Sequence, residues 1–222
     1  QMTWTWTGNT NLTVSVTDRV ASITTPGPEW SGAETITFRA TDPAGLFATN
    51  AAVFTVTAVN DPPVVTDIPD QTIEEGLSFV TIPLDNYVSD PDHTNAQMIW
   101  TYSGNSQLTV SIAARVATIT IPNSNWFGTE TIVFTATDPG SLSDSDPAVF
   151  TVTAENDAPV VTDIPDQTIA EGASFTTIAL NGYVSDVDNS DAEISWIASG
   201  NTALTVSVSS GIATITVPNA DW

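Results

Sequence analysis

The chain has no cysteine, no lysine and a single histidine, His93. Its only basic residues are Arg19, Arg39 and Arg115. Without cysteine there is no disulfide framework and no thiolate metal site, so stability has to come from apolar cores, neighbouring units or bound ions. Nucleic acid and anionic membrane surfaces both require a basic footprint, which this chain lacks, so neither is an expected partner. No apolar run approaches the ~18 residues of a membrane span, and no signal peptide opens the chain. The start at Gln1, with no initiator Met, fits a fragment or a processed chain. One histidine, no thiol nucleophile and no Gly-rich phosphate loop leave hydrolytic and nucleotide chemistries without their parts, and no catalytic residue is expected. Against these absences stand 26 Asp and Glu residues in 222 and a formal charge of −23, so the favoured partners are cations.

What the chain does have is an internal repeat. "NDPPVVTDIPDQTIEEG" begins at Asn60 and returns, nearly unchanged, as "NDAPVVTDIPDQTIAEG" at Asn156. "EWSGAETITFRATDPAGLF" around Trp30 is answered by "NWFGTETIVFTATDPGSLS" around Trp126, and Trp222 falls at the same register. The period is 96 residues. Repetition at fixed spacing marks a stack of similar units. Residues 1–59 form a partial unit that lacks its front strands. Residues 60–155 form a complete unit, and 156–222 a partial one that lacks its last strands.

Within the complete unit apolar residues alternate with polar ones, the period of a strand rather than a helix. Strands are expected near Val64–Val65 and Gln71–Ile73, over Phe79–Leu84 and over Gln97–Tyr102. In the last, Met98, Trp100 and Tyr102 share a face. Further inward sets are Leu108, Val110 and Ile112; Ile119 and Ile121; Ile132, Phe134 and Ala136; and Phe150 with Val152. Thr fills the outward positions, where its β-branch suits a pleated surface. About seven short antiparallel strands in such a unit predict an all-β, immunoglobulin-like sandwich. The recurring tryptophans are expected to plug the end of the sandwich rather than to stack on sugar, and inward Trp100 and Trp196 argue against a carbohydrate-binding module.

The acids are unevenly placed. Asp61 lies in the junction, Asp90, Asp92 and Asn95 in the loop after the second strand, and Asp138 after the sixth. In a seven-stranded sandwich these points share the pole at which the chain enters. Carboxylates crowded there repel, and a multivalent cation relieves them. Oxygen ligands select a hard ion, and a flexible set of six to eight suits calcium. The next junction repeats the pattern with Asn156, Asp157, Asp186, Asp188 and Asp191. An EF-hand is rejected for "DVDNSD", since the spacing is wrong, the loop glycine is missing and no helices flank it. His93, replaced by Asn189 one period later, reads as an exposed, interchangeable position. Asp67, Asp70, Asp144 and Asp146 read as solvated loop residues.

"TATD" near the end of a unit, "NDxP" at the seam, "EG" near its start and "DxDxxNA" after the second strand resemble a cadherin repeat. The "IPDQTI…EG" opening is closer still to the bacterial cadherin-like domains of large surface proteins and adhesins. The resemblance covers the whole chain. It implies calcium between successive domains, held at the first seam by Asn60, Asp61, Asp90, Asp92, Asn95 and Asp138. At the second seam it implies Glu75, Asn156, Asp157, Asp186, Asp188 and Asp191. Two departures, Ala58 and Ala154 where the family carries a seam acid, predict fewer ions per junction than its fullest complement. The expectation is a structural or adhesive spacer, outside the cell or on its surface. Its partners would be calcium, adjacent repeats, and other copies of the chain or cell-surface or matrix ligands. The rival is a filament subunit whose incomplete units are completed by neighbouring chains. That rival sits poorly with a length of two periods plus a remainder, which would not continue in register end to end.

Overall fold

The computed structural model describes residues 1–219 and 221–222. Strands come in three groups along the chain. The first is β1 (Thr3–Thr7), β2 (Thr13–Thr17), β3 (Val20–Thr24), β4 (Gly32–Thr41) and β5 (Phe47–Val56). The second is β6 (Val64–Val65), β7 (Gln71–Glu74), β8 (Ile82–Pro83), β9 (Val88–Ser89), β10 (Ile99–Ser103), β11 (Thr109–Ala113), β12 (Val116–Thr120), β13 (Gly128–Thr137) and β14 (Ser143–Thr153). The third is β15 (Val160–Val161), β16 (Ile178–Ala179), β17 (Val184–Ser185), β18 (Thr205–Ser209) and β19 (Ile212–Thr216).

The middle group is a sandwich. One layer has the order β10-β13-β14-β7, and the other combines β11-β12-β8 with the small pair β6-β9. Between them lie Ile68, Leu84, Leu108, Ile132, Phe134 and Phe150, all fully buried. Phe150 meets Phe79 and Phe134 edge to face, at centroid distances of 5.2 and 6.4 Å. The alternation read from the sequence is what fills this core. Ile132, Phe134 and Ala136 point inward from β13, and Val133 and Thr135 between them, on the other face, are half-buried. The same alternation gives the N-terminal group its smaller core of Leu12, Val14 and Ile36, with Trp30 packed against it. Trp126 packs likewise against the middle core. Each of these rings lies over a glycine two residues later: Trp126 would meet a Cβ at Gly128 at 2.9 Å, which is why only glycine fits beneath it. Trp222 is 53% exposed.

Three details depart from the expectation. The strand over Phe79–Leu84 is short, because the chain turns into a 3₁₀ helix at Leu84–Tyr87. Tyr102 is 40% exposed, whereas Trp100 on the same strand and Met98 just before it are buried. The sheets are not purely antiparallel, since β7 pairs with β14 in parallel. The entering chain first pairs antiparallel with β9 in one layer and then crosses to the other, where it runs alongside β14.

That crossing overturns the reading of Asp144 and Asp146 as solvated loop residues, both being half-buried, and gives the exposed Asp70 a backbone partner. Asp144 accepts the Val65 N–H at 2.8 Å and Asp146 accepts that of Ile68 at 2.9 Å. Asp70 accepts the Val149 N–H at 2.7 Å. Around the crossing, carboxylates of β14 take the N–H groups of Val65 and Ile68, and Asp70 of the entering chain takes one from β14 in return.

Buried glutamates do the same for a loop. Glu130, 9% exposed, accepts the N–H groups of Ser106, Gln107 and Leu108 and the Ser106 hydroxyl. Glu34 holds Thr10, Asn11 and Leu12 in the same way. The Thr10 hydroxyl is the largest cause that lowers Glu34, with backbone N–H groups adding to it, to a pKa of about 2. Burial pushes Glu130 up, but the Ser106 hydroxyl and the three N–H groups outweigh it and hold it below the ordinary carboxylate value.

Candidate functional site

The loop after β9 begins with Asp90, whose Oδ1 accepts the N–H groups of Asp92 and His93 at 2.8 and 2.7 Å. This Asx turn folds the loop back over the end of the sandwich and aims the carboxylate inward. The Asp90 side chain is 0% exposed, and its Oδ2 has no hydrogen-bond partner. His93 is not the exposed, interchangeable residue that its replacement by Asn189 predicts. Its side chain is 19% exposed and its Nδ1 stands 3.3 Å from Asp90 Oδ1. The physical reason is the turn itself, which bends His93 back onto the carboxylate that organises it.

Asp138, at the end of β13, comes to the same place. It is 2% exposed, and one ligand atom each from Asp90, His93 and Asp138 lie within 4.8 Å of one another. Asn60, from the incoming chain, donates its Nδ2–H to Asp138 Oδ2 at 2.7 Å. Burial would raise Asp138, but the Asn60 amide, the Leu142 N–H and His93 outweigh it and keep the carboxyl below its ordinary value. Gly140 makes room for this contact, because a Cβ there would fall on the Asn60 amide.

Asp61 donates its N–H to Asp92 Oδ2 at 2.8 Å, tying the incoming chain to the same loop. A further carboxylate arrives from the N-terminal group. Glu29 lies against Asp61 and Asp92, and its contact with Asp61, followed by the charge of that residue, raises its pKa. A pocket of about 80 Å³ opens here, lined by Glu29, Trp30, Ala58, Asp61 and Asp92 among others.

The next junction repeats part of this geometry. Asp157 donates its N–H to Asp188 Oδ2 at 2.6 Å, and Asp186 Oδ1 accepts the N–H groups of Asp188 and Asn189. Asp186 Oδ2 is buried without a partner. Glu75 accepts the Glu155 N–H at 2.8 Å through one oxygen, and its other, Oε2, is buried and unpartnered. Asn156 turns its amide onto the Asp157 carbonyl.

Asn95 gives its amide to the Asp85 carbonyl at 2.8 Å, inside its own unit, and Asp191 is exposed, as Asp92 and Asp188 are. One participant was missed. Glu29 precedes Trp30, and the same register holds Asn125 before Trp126 and Asp221 before Trp222, an oxygen-bearing side chain each time. Comparing those three positions would have found it.

Residues 60–153 match the family model described as a bacterial Ig domain. Among solved structures, PcdhgB3 EC1-4 superposes with a TM-score of 0.56 at 16% identity, covering 99% of this chain and 58% of that one. Protocadherin Gamma B7 extracellular cadherin domains 1–4 give 0.49 at 20% identity, over 98% and 58%. The human Desmocollin-1 ectodomain gives 0.41 at 15%, over 99% and 47%. The chain thus spans 47–58% of the length of these three structures. A search of curated proteins finds no match. No helix among the described residues is long and apolar enough to cross a membrane. At 16% identity the likeness to PcdhgB3 is one of fold: the chain has an immunoglobulin-like, cadherin-like β-sandwich fold, and its residues 60–153 are similar to the bacterial Ig domain family.

Proposed function

We propose that the chain is a structural or adhesive spacer of a large extracellular repeat protein, non-catalytic, with its junctions stiffened by calcium. Its units are residues 1–59, 60–155 and 156–222, and the array stands outside the cell or on its surface. The observation that carries this reading is the set of buried carboxylate oxygens without partners at the two seams, Asp90 Oδ2, Glu75 Oε2 and Asp186 Oδ2. A buried charged oxygen left unpaired is costly, and a divalent ion with oxygen preference removes the cost.

The residues present fit such an ion. At the first seam Asp90 and Asp138, with Asn60 and Asp61 from the linker and Glu29 from the preceding unit, would supply oxygens from both sides. At the second, Glu75 comes from one unit, Asp157 from the linker, and Asp186 and Asp188 from the next. When bound, calcium neutralises the charge that otherwise pushes the seam open. The protein's part is to hold those oxygens: Asx turns aim Asp90 and Asp186, and the Asn60 amide orients Asp138.

The test is thermal melting and limited proteolysis of the intact chain in calcium and in chelator. Extracellular modules bind calcium at about 10⁻⁴–10⁻³ M. At ten times Kd one site adds about 1.4 kcal/mol. The melting temperature should rise with calcium, and cleavage near Asn60 and Asn156 should slow. Identical melting and cleavage in both buffers would remove calcium from the account.

A further inference from the structure

We infer that the first junction carries a second metal preference, a site for a borderline transition-metal ion, zinc in the first instance, built by His93, Asp90 and Asp138. It rests on the side-chain cluster and stands independently of the calcium reading.

Three observations carry it. The Asp90 side chain is fully buried and its Oδ2 has no partner, and His93 Nδ1 is buried with no hydrogen bond, so two ligand atoms are left without hydrogen bonds. Ligand atoms of the three residues lie within 4.8 Å of one another. His93 Nδ1 stands 3.3 Å from Asp90 Oδ1, close enough for the imidazole and this carboxylate group to reach one ion at about the 2.0–2.2 Å that zinc makes to nitrogen and oxygen.

Chemistry then decides which ions prefer this corner. Calcium and magnesium take oxygen, whereas imidazole nitrogen suits zinc and its neighbours. An all-oxygen cluster would leave no such choice. Here one ligand of three is nitrogen, and water completes the coordination. All three residues belong to 60–153, so an ion seated here is held within one unit and does not bridge to the preceding one. Because it uses Asp90 and Asp138, it competes with an ion that bridges the seam.

The chain supplies its own control. In the third group the same loop is built around Asp186, with Asn189 at the histidine's place and the same backbone bond, 2.8 Å against 2.7 Å. The loop therefore folds with asparagine there, and His93→Asn tests the ligand without dismantling the turn. The experiment titrates the metal-free intact chain and His93→Asn with zinc chloride by calorimetry. Cobalt(II) absorption reports the geometry, and calcium is titrated in parallel by melting. The expected result is zinc binding that weakens at least about tenfold in His93→Asn. Cobalt bands should be those of a four-coordinate ion, and the calcium response should be retained. Zinc binding unchanged by the substitution, no zinc binding at all, or loss of zinc and calcium responses together would overturn the proposal. A calcium response with no zinc response removes this site and leaves the calcium reading standing. Zinc binding with no calcium response does the reverse.

Discussion

At the scale of single residues, the acids of this chain divide by what they accept. Glu130 and Glu34 take loop N–H groups, Asp144 and Asp146 take those of the entering chain, and Asp90 and Asp186 organise Asx turns with an oxygen to spare. Composition cannot separate these roles, since every one is an ordinary carboxylate until the fold gives it donors. The division has a consequence for acid stability. Glu130 and Glu34 have folded pKa values below their ordinary 4.5, about 2 for Glu34. Their contribution is therefore complete above the ordinary value and fades as pH falls through the folded one. Urea melts of the wild type should lose stability steeply below pH ~4.5, and Glu130→Gln should flatten that dependence. At neutral pH, Glu130→Ala leaves three N–H groups of one loop unpaired and should cost about 2–3 kcal/mol. A melt within a few tenths of wild type would show that water takes over the loop.

At the scale of elements, the first strand of the unit is the informative case. It is split into β6 and β7, which serve different layers, and side chains of β14 hold the end of β6 at Val65 and the stretch beyond it at Ile68. Alternation alone showed two short apolar stretches near Val64 and Gln71, and the structure has both. It did not show that β7 would lie parallel to β14, because direction is set by where the crossing chain lands rather than by local pattern. Asp146→Ala removes the acceptor for Ile68, whose side chain is 1% exposed in the core. The substitution should cost about 1–3 kcal/mol and speed amide exchange at Ile68 ahead of β13. Uniform exchange across both segments would show that the crossing does not open on its own. The hairpin turn at Ala114–Arg115 is another place where pattern and conformation part. Both residues have positive φ without being glycine, and Arg115 is held there by Asp85 at 2.9 Å.

At the scale of the whole molecule, charge is the dominant quantity. A net −23 carried with three arginines makes the compact, aligned state self-repelling wherever acids converge. If ions at the seams hold the units in line, small-angle scattering in calcium should report a narrow range of maximum dimensions, and chelation should broaden it. Asp90→Asn combined with Asp186→Asn should remove that response while leaving the strand content unchanged. A scattering profile indifferent to calcium would mean that the units keep their alignment by packing alone. What the sequence by itself determined is the repeat, the sandwich and its inward residues, since alternation and turn residues are properties of neighbours along the chain. It also showed acids recurring at like positions of successive units. Only the tertiary structure decided which of them meet. Asn60 and Asp138 are 78 residues apart, and Asp61 and Asp92 are 31 apart. Glu29 reaches the joint from another strand group, and His93 turns from a loop ornament into a half-buried neighbour of Asp90. Those meetings depend on strand register, loop path and crossing direction, which are fixed by packing between distant segments and leave no mark in the local pattern of either.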